Sequence, residues 1–196
     1  TAETTFTITV TESNSAPVLA PITAQSVNEG TLLTVTAAAT DADLPAQSLT
    51  YSLVTAPAGA AIAPTTGVFT WTPSESDGPG TFPVTLRVTD SGNATAEATF
   101  TITVTESNSA PVLAAISAQS VNEGTLLTVA AAATDTDLPA DTLTYSLVAA
   151  PAGAALNPTT GIFTWTPSEN DGPGTFPVTL RVTDSGSATA ETTFTI

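Results

Sequence analysis

Thr99-Phe100-Thr101-Ile102-Thr103-Val104-Thr105 alternates polar and apolar side chains without a break. A period of two puts Phe100, Ile102 and Val104 on one face and the threonines on the other, which is the pattern of a half-buried β-strand. The same alternation recurs in Val84, Leu86 and Val88 around Thr85, Arg87 and Thr89, and in Leu49, Tyr51 and Leu53 around Thr50 and Ser52. Phe69 and Trp71 face away from Thr70 and Thr72, and Leu33, Val35, Ala37 and Ala39 form another inward face. Turn residues separate these runs: Asn28-Glu29-Gly30, Asp43-Leu44-Pro45, Pro64-Thr65-Thr66-Gly67, Asp77-Gly78-Pro79-Gly80 and Asp90-Ser91-Gly92. No stretch has helical periodicity with caps, and the one helix-like run, Thr36 to Ala39, is too short to nucleate. An all-β fold follows, with about seven strands in two packed antiparallel sheets. Trp71, Phe69, Tyr51, Phe82 and Phe100 are expected in its core. A sugar-stacking role for Trp71 is the sharper alternative, but its alternation with Phe69 favours the core.

Moving outward from this strand, the chain repeats itself. Thr11-Glu12-Ser13-Asn14-Ser15-Ala16-Pro17-Val18-Leu19 returns as Thr105 to Leu113. Residues 12–102 and 106–196 differ at 13 of 91 positions, mostly by small exchanges such as Ile62/Leu156 and Val68/Ile162. A period of 94 residues is too long for a solenoid unit and suits a whole domain. Thr1 to Ile8 reappears identically as Thr189 to Ile196. The expected organisation is therefore 1–11 as the last strand of a preceding repeat, 12–105 as one sandwich and 106–196 as a second. The alternative for 1–11 is a strand donated to a neighbouring chain. It is disfavoured because the second repeat already holds a copy of that strand at 189–196.

Composition excludes several functions. The 196 residues carry 18 Asp and Glu against two Arg, for a net charge of −16, with no His, Cys or Met. Nucleic acid and anionic membranes call for basic patches, which this chain lacks. Disulfides, thiolate metal sites, Cys nucleophiles and Ser-His-Asp triads are impossible here. Apolar residues make up 41% and charged residues 10%, so the chain is not a disordered acidic tail. No apolar run of membrane-spanning length occurs, so no membrane insertion is expected. No basic segment with an apolar stretch opens the sequence, and any export signal is expected outside these residues.

Six short motifs occur in order within each 94-residue period: Asn14-Ser15-Ala16-Pro17-Val18, Val27-Asn28-Glu29-Gly30, Ala39-Thr40-Asp41-Ala42-Asp43, Leu49-Thr50-Tyr51-Ser52-Leu53, Thr66-Gly67-Val68-Phe69-Thr70-Trp71-Thr72-Pro73 and Val88-Thr89-Asp90-Ser91-Gly92. Together they resemble the bacterial cadherin-like, dystroglycan-type and "putative Ig" tandem repeats of large surface adhesins. The resemblance covers essentially the whole chain, twice. It implies a Greek-key β-sandwich of Ig or cadherin type, tandem arrays, display at the cell surface and calcium between domains.

Placing the acidic residues by walking up and down the strands supports a cation site independently. Glu29, Glu75 and Asp77 fall at the bottom of the first repeat, and Asp135, Asp137 and Asp184 at the top of the second, with Glu106 and Asn108 in the linker. Glu12, Asn14, Asp41, Asp43 and Asp90 form the equivalent upper set of the first repeat. Calcium takes six to eight oxygens at roughly 2.3–2.6 Å, and a hard cation relieves the repulsion of carboxylates that have no basic partner. The competing reading is that these are solvated turn residues, since Asp and Asn favour loops by local hydrogen bonding. The linker Thr105-Glu106-Ser107-Asn108-Ser109 is also less acidic than a cadherin linker. An affinity like that of extracellular modules, roughly 10⁻⁴–10⁻³ M, is expected.

Other constellations point to less. Glu75 and Asp77 could be read as a hydrolase carboxylate pair, but they stand in a Gly-Pro turn without His or Lys. Asn93-Ala94-Thr95 matches a glycosylation sequon that the second repeat loses at Ser187. Arg87 and Arg181 are expected to pair with Glu97 and Glu191 across the strands. The function expected is a non-catalytic spacer of a large extracellular adhesin or fibre, each sandwich adding roughly 40 Å from about ten residues per strand plus a linker. Its partners are neighbouring repeats. The alternatives are a carbohydrate-binding module, which needs an exposed aromatic platform or groove, and a self-assembling filament subunit.

Overall fold

In the computed structural model, which describes residues 1–196, the alternating segments are strands gathered into two units, Thr1–Glu106 and Ser107–Ile196. Unit 1 contains β1 (Val18–Leu19), β2 (Gln25–Asn28), β3 (Leu33–Thr36), β4 (Ala39–Thr40), β5 (Thr50–Thr55), β6 (Ala61–Ile62), β7 (Val68–Trp71), β8 (Gly80–Thr89) and β9 (Thr95–Thr105). β1 and β2 are two halves of one interrupted strand, and so are β3 and β4, which gives the seven strands expected. The second break falls at Ala37-Ala38, where Ala37 N donates to Gly67 O (2.9 Å) and Ala38 O accepts from Ala20 N (2.8 Å).

One sheet runs β2-β9-β8-β5; the other comprises β3-β7-β6 with the β1-β4 pair. Every pairing is antiparallel except β2 with β9, which is parallel. A purely antiparallel reading misses this because β1 and β2 leave one sheet and join the other, and sequence alternation carries no direction.

Register turns the alternation into a core. Val84, Leu86, Val88 and Ile102 are fully buried, and so is Phe69, whose ring meets Phe100 edge-on at 5.8 Å. Trp71 is 2% exposed, donates from Nε1 to Ala58 O (3.0 Å) and meets Phe82 edge-on at 4.9 Å. Phe82 is only half-buried, at the rim rather than in the centre. Gly67 has φ +68, and a Cβ there would come within 2.7 Å of Ala37 O and 3.1 Å of the Tyr51 ring. The tyrosine packs against that turn because the position has no side chain. The one helical element is a 3₁₀ turn, Glu75–Asp77. Asn93 has φ 72 and Ser187 φ 78, so both occupy the tip of the same left-handed turn, which accounts for Asn93 without a sugar.

Unit 2 contains β10 (Val112–Leu113), β11 (Leu127–Ala130), β12 (Ala133–Thr134), β13 (Thr144–Ala149), β14 (Ala155–Leu156), β15 (Ile162–Trp165), β16 (Pro177–Thr183) and β17 (Thr189–Thr195). Its sheets are β13-β16-β17 and β11-β15-β14 with the β10-β12 pair. Phe163 meets Phe194 at 5.8 Å, and Trp165 donates to Ala152 O at 3.1 Å, reproducing unit 1. The counterpart of β2 is not a strand here. Residues 1–11, expected as the last strand of a preceding repeat and so without partners in these two units, form no strand here, and Phe6, Ile8 and Val10 are 79%, 74% and 89% exposed.

Candidate functional site: acidic ends of each sandwich

Each sandwich is capped at one end, here called upper, by three loops that β4/β5, β8/β9 and the entry segment (or their counterparts) bring together. In unit 1 the five residues expected there do converge. Asn14 Nδ2 donates to Asp90 Oδ2 (3.1 Å), Ser15 N to Asp43 Oδ2 (2.9 Å), and Asp43 N to Asp41 Oδ1 (2.9 Å). Asp43 and Asp90 are buried. Glu12 joins them: partial loss of water, then the charge of Asp43 and a hydrogen bond shared with it, then the charges of Asp41 and Asp90, raise its carboxyl above the ordinary 4.5.

Gln47 was not foreseen and ties this end together. Its Nε2 donates to Asp43 Oδ2 (3.0 Å) and to Asn14 Oδ1, and its Oε1 accepts from Ser91 Oγ (2.9 Å) and Gly92 N (3.1 Å).

The upper end of unit 2 repeats the frame. Asn108 Nδ2 donates to Asp184 Oδ2 (3.1 Å), Ser109 N to Asp137 Oδ2 (2.9 Å) and Asp137 N to Asp135 Oδ1 (3.2 Å). Here Asp141 replaces Gln47 and accepts from Ser185 Oγ. Asp135, Asp141 and Asp184 each present an oxygen, all within 4.8 Å of one another. Asp135 Oδ2, Asp137 Oδ1 and Asp141 Oδ2 are buried without a hydrogen-bond partner. Asp141 is the site residue that sequence reasoning missed. Its signal was present: of the thirteen differences between the repeats, Gln47/Asp141 alone exchanges a neutral side chain for a charged one.

At the opposite, lower end of unit 1, Glu29, Glu75 and Glu106 also place carboxylate oxygens within 4.8 Å of one another. Glu29 is 5% exposed and lies against Gly78, where a Cβ would collide with its carboxylate. Asp77 does not join them. Its Oδ2 accepts from Ser74 N (2.8 Å) and Ser74 Oγ (2.6 Å), capping the 3₁₀ turn. Glu75 and Asp77 therefore do different jobs. In unit 2, Asp171 makes the same cap with Ser168, and those hydrogen bonds hold its carboxyl below the ordinary 3.8.

These oxygen sets suit a hard divalent cation. Two oxygens about 2.4 Å from one ion can be at most about 5 Å apart, and both carboxylate groups meet that limit. No basic side chain competes. Arg87 and Arg181 are engaged by Glu97 (2.7 Å) and Glu191 (2.6 Å) on the sheet faces, as register led us to expect. The ligands would be Asp135, Asp141 and Asp184 at one group and Glu29, Glu75 and Glu106 at the other.

Residues 16–105 and 110–196 each match the protein family described as "Putative Ig domain". No curated protein is significantly similar to the chain in sequence. Among solved structures it is similar to human CDH23 EC21-23 (21% identity, TM-score 0.58, covering 91% of this chain and 63% of that one). It is also similar to mouse Cadherin-23 EC22-24 (22% identity, TM-score 0.56, covering 94% and 66%) and to the Protocadherin GammaB4 extracellular domain (19% identity, TM-score 0.52, covering 92% and 34%). The chain thus spans between a third and two thirds of these structures, and the likeness is one of fold. No helix is long and apolar enough to cross a membrane.

Proposed function

Because the chain belongs to the family described as "Putative Ig domain", in two tandem copies, we propose that it is a non-catalytic structural segment of a large extracellular adhesin or fibre. Its sandwiches are spacers, its partners are neighbouring repeats, and residues 1–11 are the last strand of a preceding one. Calcium binds the three-carboxylate groups and restrains the linker Thr105–Ala110. The observation that carries this reading is the set of buried carboxylate oxygens at Asp135, Asp137 and Asp141 that lack a protein donor. A buried carboxylate oxygen without a donor is costly, and a bound cation would offset that cost. Glu106, the last residue of unit 1, belongs to one group, and Asn108, near the start of unit 2, is hydrogen-bonded to Asp184 of the other.

A carbohydrate platform has less support, because the aromatic side chains are buried or half-buried apart from Phe6. The test is thermal melting and small-angle scattering in millimolar calcium and in chelator. Calcium binding only the folded state should raise stability by about 2.7 kcal/mol at a hundredfold excess over its dissociation constant. Asp135→Asn with Asp137→Asn should abolish the rise at that group while leaving both sandwiches folded. Equal melting temperature and equal maximum dimension with and without calcium would leave the acidic loops as solvated turns.

A further inference from the structure

The strands by which the chain enters and leaves the core of unit 1 lie side by side and point the same way. β2 and β9 are in parallel register: Gln25 with Ile102, Ser26 with Thr103, Val27 with Val104 and Asn28 with Thr105. Upstream of β2 the chain is fastened at the upper end, where Asn14 Nδ2 donates to Asp90 Oδ2 (3.1 Å) and Ser15 N to Asp43 Oδ2 (2.9 Å). β9 leaves at the lower end, where Glu106 stands with Glu29 and Glu75. The chain therefore enters β2 at one end of the pair and leaves β9 at the other.

That polarity decides how the pair meets tension. Pulling the chain from both sides of unit 1 draws β2 toward the upper end and β9 toward the lower end, along their own axes. The rungs of a parallel pair are evenly spaced, so they share the load and fail together. A pair pulled apart at neighbouring ends breaks one rung at a time instead. Forced unfolding is set by the barrier to unfolding, not by equilibrium stability, and a barrier that requires several bonds to break at once is high.

Side chains reinforce the rungs. Glu29 N donates to Thr105 O (3.2 Å), which prolongs the ladder past Asn28. Thr105 Oγ1 donates to Asn28 Oδ1 (2.6 Å) and to Val27 O (3.4 Å). Val27 and Val104 are registered with each other and both belong to the core, 9% and 1% exposed. A slip of one residue would turn Val27 outward, and restoring its face takes a slip of two, roughly 7 Å. On its other flank β9 is held to β8 by ten residue pairs, from Gly80 with Val104 to Thr89 with Thr95. Gly30 N, just past β2, donates to Pro73 O beside the opposite sheet (2.8 Å). β1, by contrast, has only two pairs with β4, so it gives way first and leaves the load on β2.

We infer that unit 1, in the spacer role proposed above on which this inference rests, carries tension along the polypeptide, and that the parallel β2–β9 pair is its shear joint. The joint is made of backbone rungs, a registered valine pair and the Thr105 hydroxyl, so it works without a cation.

The chain has no cysteine, so introduced thiols fix the points of pulling. In chelator, the 196-residue chain is held by Ser13→Cys and Ser107→Cys, which load β2 and β9 in shear, or by Thr31→Cys and Ser107→Cys, which open the pair from its lower end. All three positions are exposed. Single-molecule unfolding should need a several-fold higher force in the first geometry than in the second. Proline then tests the rungs. N–H direction alternates along a strand and Glu29 N faces β9, so Gln25 N faces it too and Ser26 N points away. Gln25→Pro should lower the shear force and leave the opening force nearly unchanged, because its rung is the last to open from the lower end. Ser26→Pro should lower neither. Equal forces in the two geometries overturn the inference and leave the spacer reading to its own calcium test. A loss from Gln25→Pro that is the same in both geometries overturns it equally, since general destabilisation would give that result.

Discussion

The upper ends of the two sandwiches differ by one functional side chain, and the difference changes how much of the cluster's hydrogen bonding is met from within: Asp41 Oδ2 alone is buried without a partner in unit 1, against Asp135 Oδ2, Asp137 Oδ1 and Asp141 Oδ2 in unit 2. In unit 1, Gln47 brings an amide that donates to Asp43 and Asn14 and accepts from Ser91 and Gly92, so more of the cluster's hydrogen bonding is satisfied from within. In unit 2, Asp141 stands at the same place, supplies a third clustered carboxylate and can donate nothing. The surrounding hydrogen bonds are the same to within a few tenths of an ångström. An identical frame therefore presents two electrostatic environments.

The comparison presumes that the two cores are equivalent, and the largest expected effect checks this. Trp71→Ala and Trp165→Ala each remove a ring that is 2% exposed, and each should cost its own unit about 3–5 kcal/mol. Denaturant melts followed by circular dichroism and by the remaining tryptophan should give matched losses. Clearly unequal losses would mean that the units differ in packing as well as at their ends.

Next in size is the reciprocal exchange of the differing residue. Asp141→Gln should lower the number of calcium ions bound per chain by one, and Gln47→Asp should raise it by one, each accompanied by a change of about 2.7 kcal/mol at a hundredfold excess of calcium. Calorimetric titration reads the stoichiometry. Unchanged stoichiometry in both variants would sever the link between this position and cation binding.

Acid should act in opposite senses at one group in each unit. Glu12 in unit 1 has its carboxyl raised above the ordinary 4.5, so the folded unit binds a proton that the unfolded chain does not. Its contribution becomes more favourable as pH falls through the folded value toward 4.5. Asp171 in unit 2 is held below 3.8. Its contribution is present above 3.8 and is lost as pH falls through the lower, folded value. Melts in chelator between pH 7 and 3 should show the pH dependence of unit 1 flattened by Glu12→Gln and that of unit 2 by Asp171→Asn. No change in either variant would remove these groups from the account.

The smallest effect is expected at the sheet faces. Arg87–Glu97 and Arg181–Glu191 are equally placed ion pairs, each partner a little over 40% exposed. Arg87→Ala and Arg181→Ala should each cost about 0–1 kcal/mol, less in high salt and alike in both units. A large or unequal loss would place these pairs in a network that the comparison ignores.

The sequence by itself determined the strands, the duplicated sandwich, the buried tryptophans and the pairing of each arginine with its glutamate. Those features follow from local alternation, and a period of two carries its own assignment to a face. It also carried Glu12, Asn14, Asp41, Asp43 and Asp90 to one end, because strand direction reverses at every turn. Tertiary structure alone decided the rest. The parallel pairing of β2 with β9 depends on which sheet an interrupted strand joins, and alternation does not encode that. Asp77 reads like its neighbour Glu75, yet two hydrogen bonds from Ser74 hold it in its own turn. Gln47 and Asp141 lie in loops without periodicity, so only the folded chain shows that they point into the acidic cluster. Val104 and Val10 have the same flanking residues, yet one is buried and the other in water. Burial belongs to the partners that a side chain meets, and a strand sequence specifies its face but not whether a partner strand stands beside it.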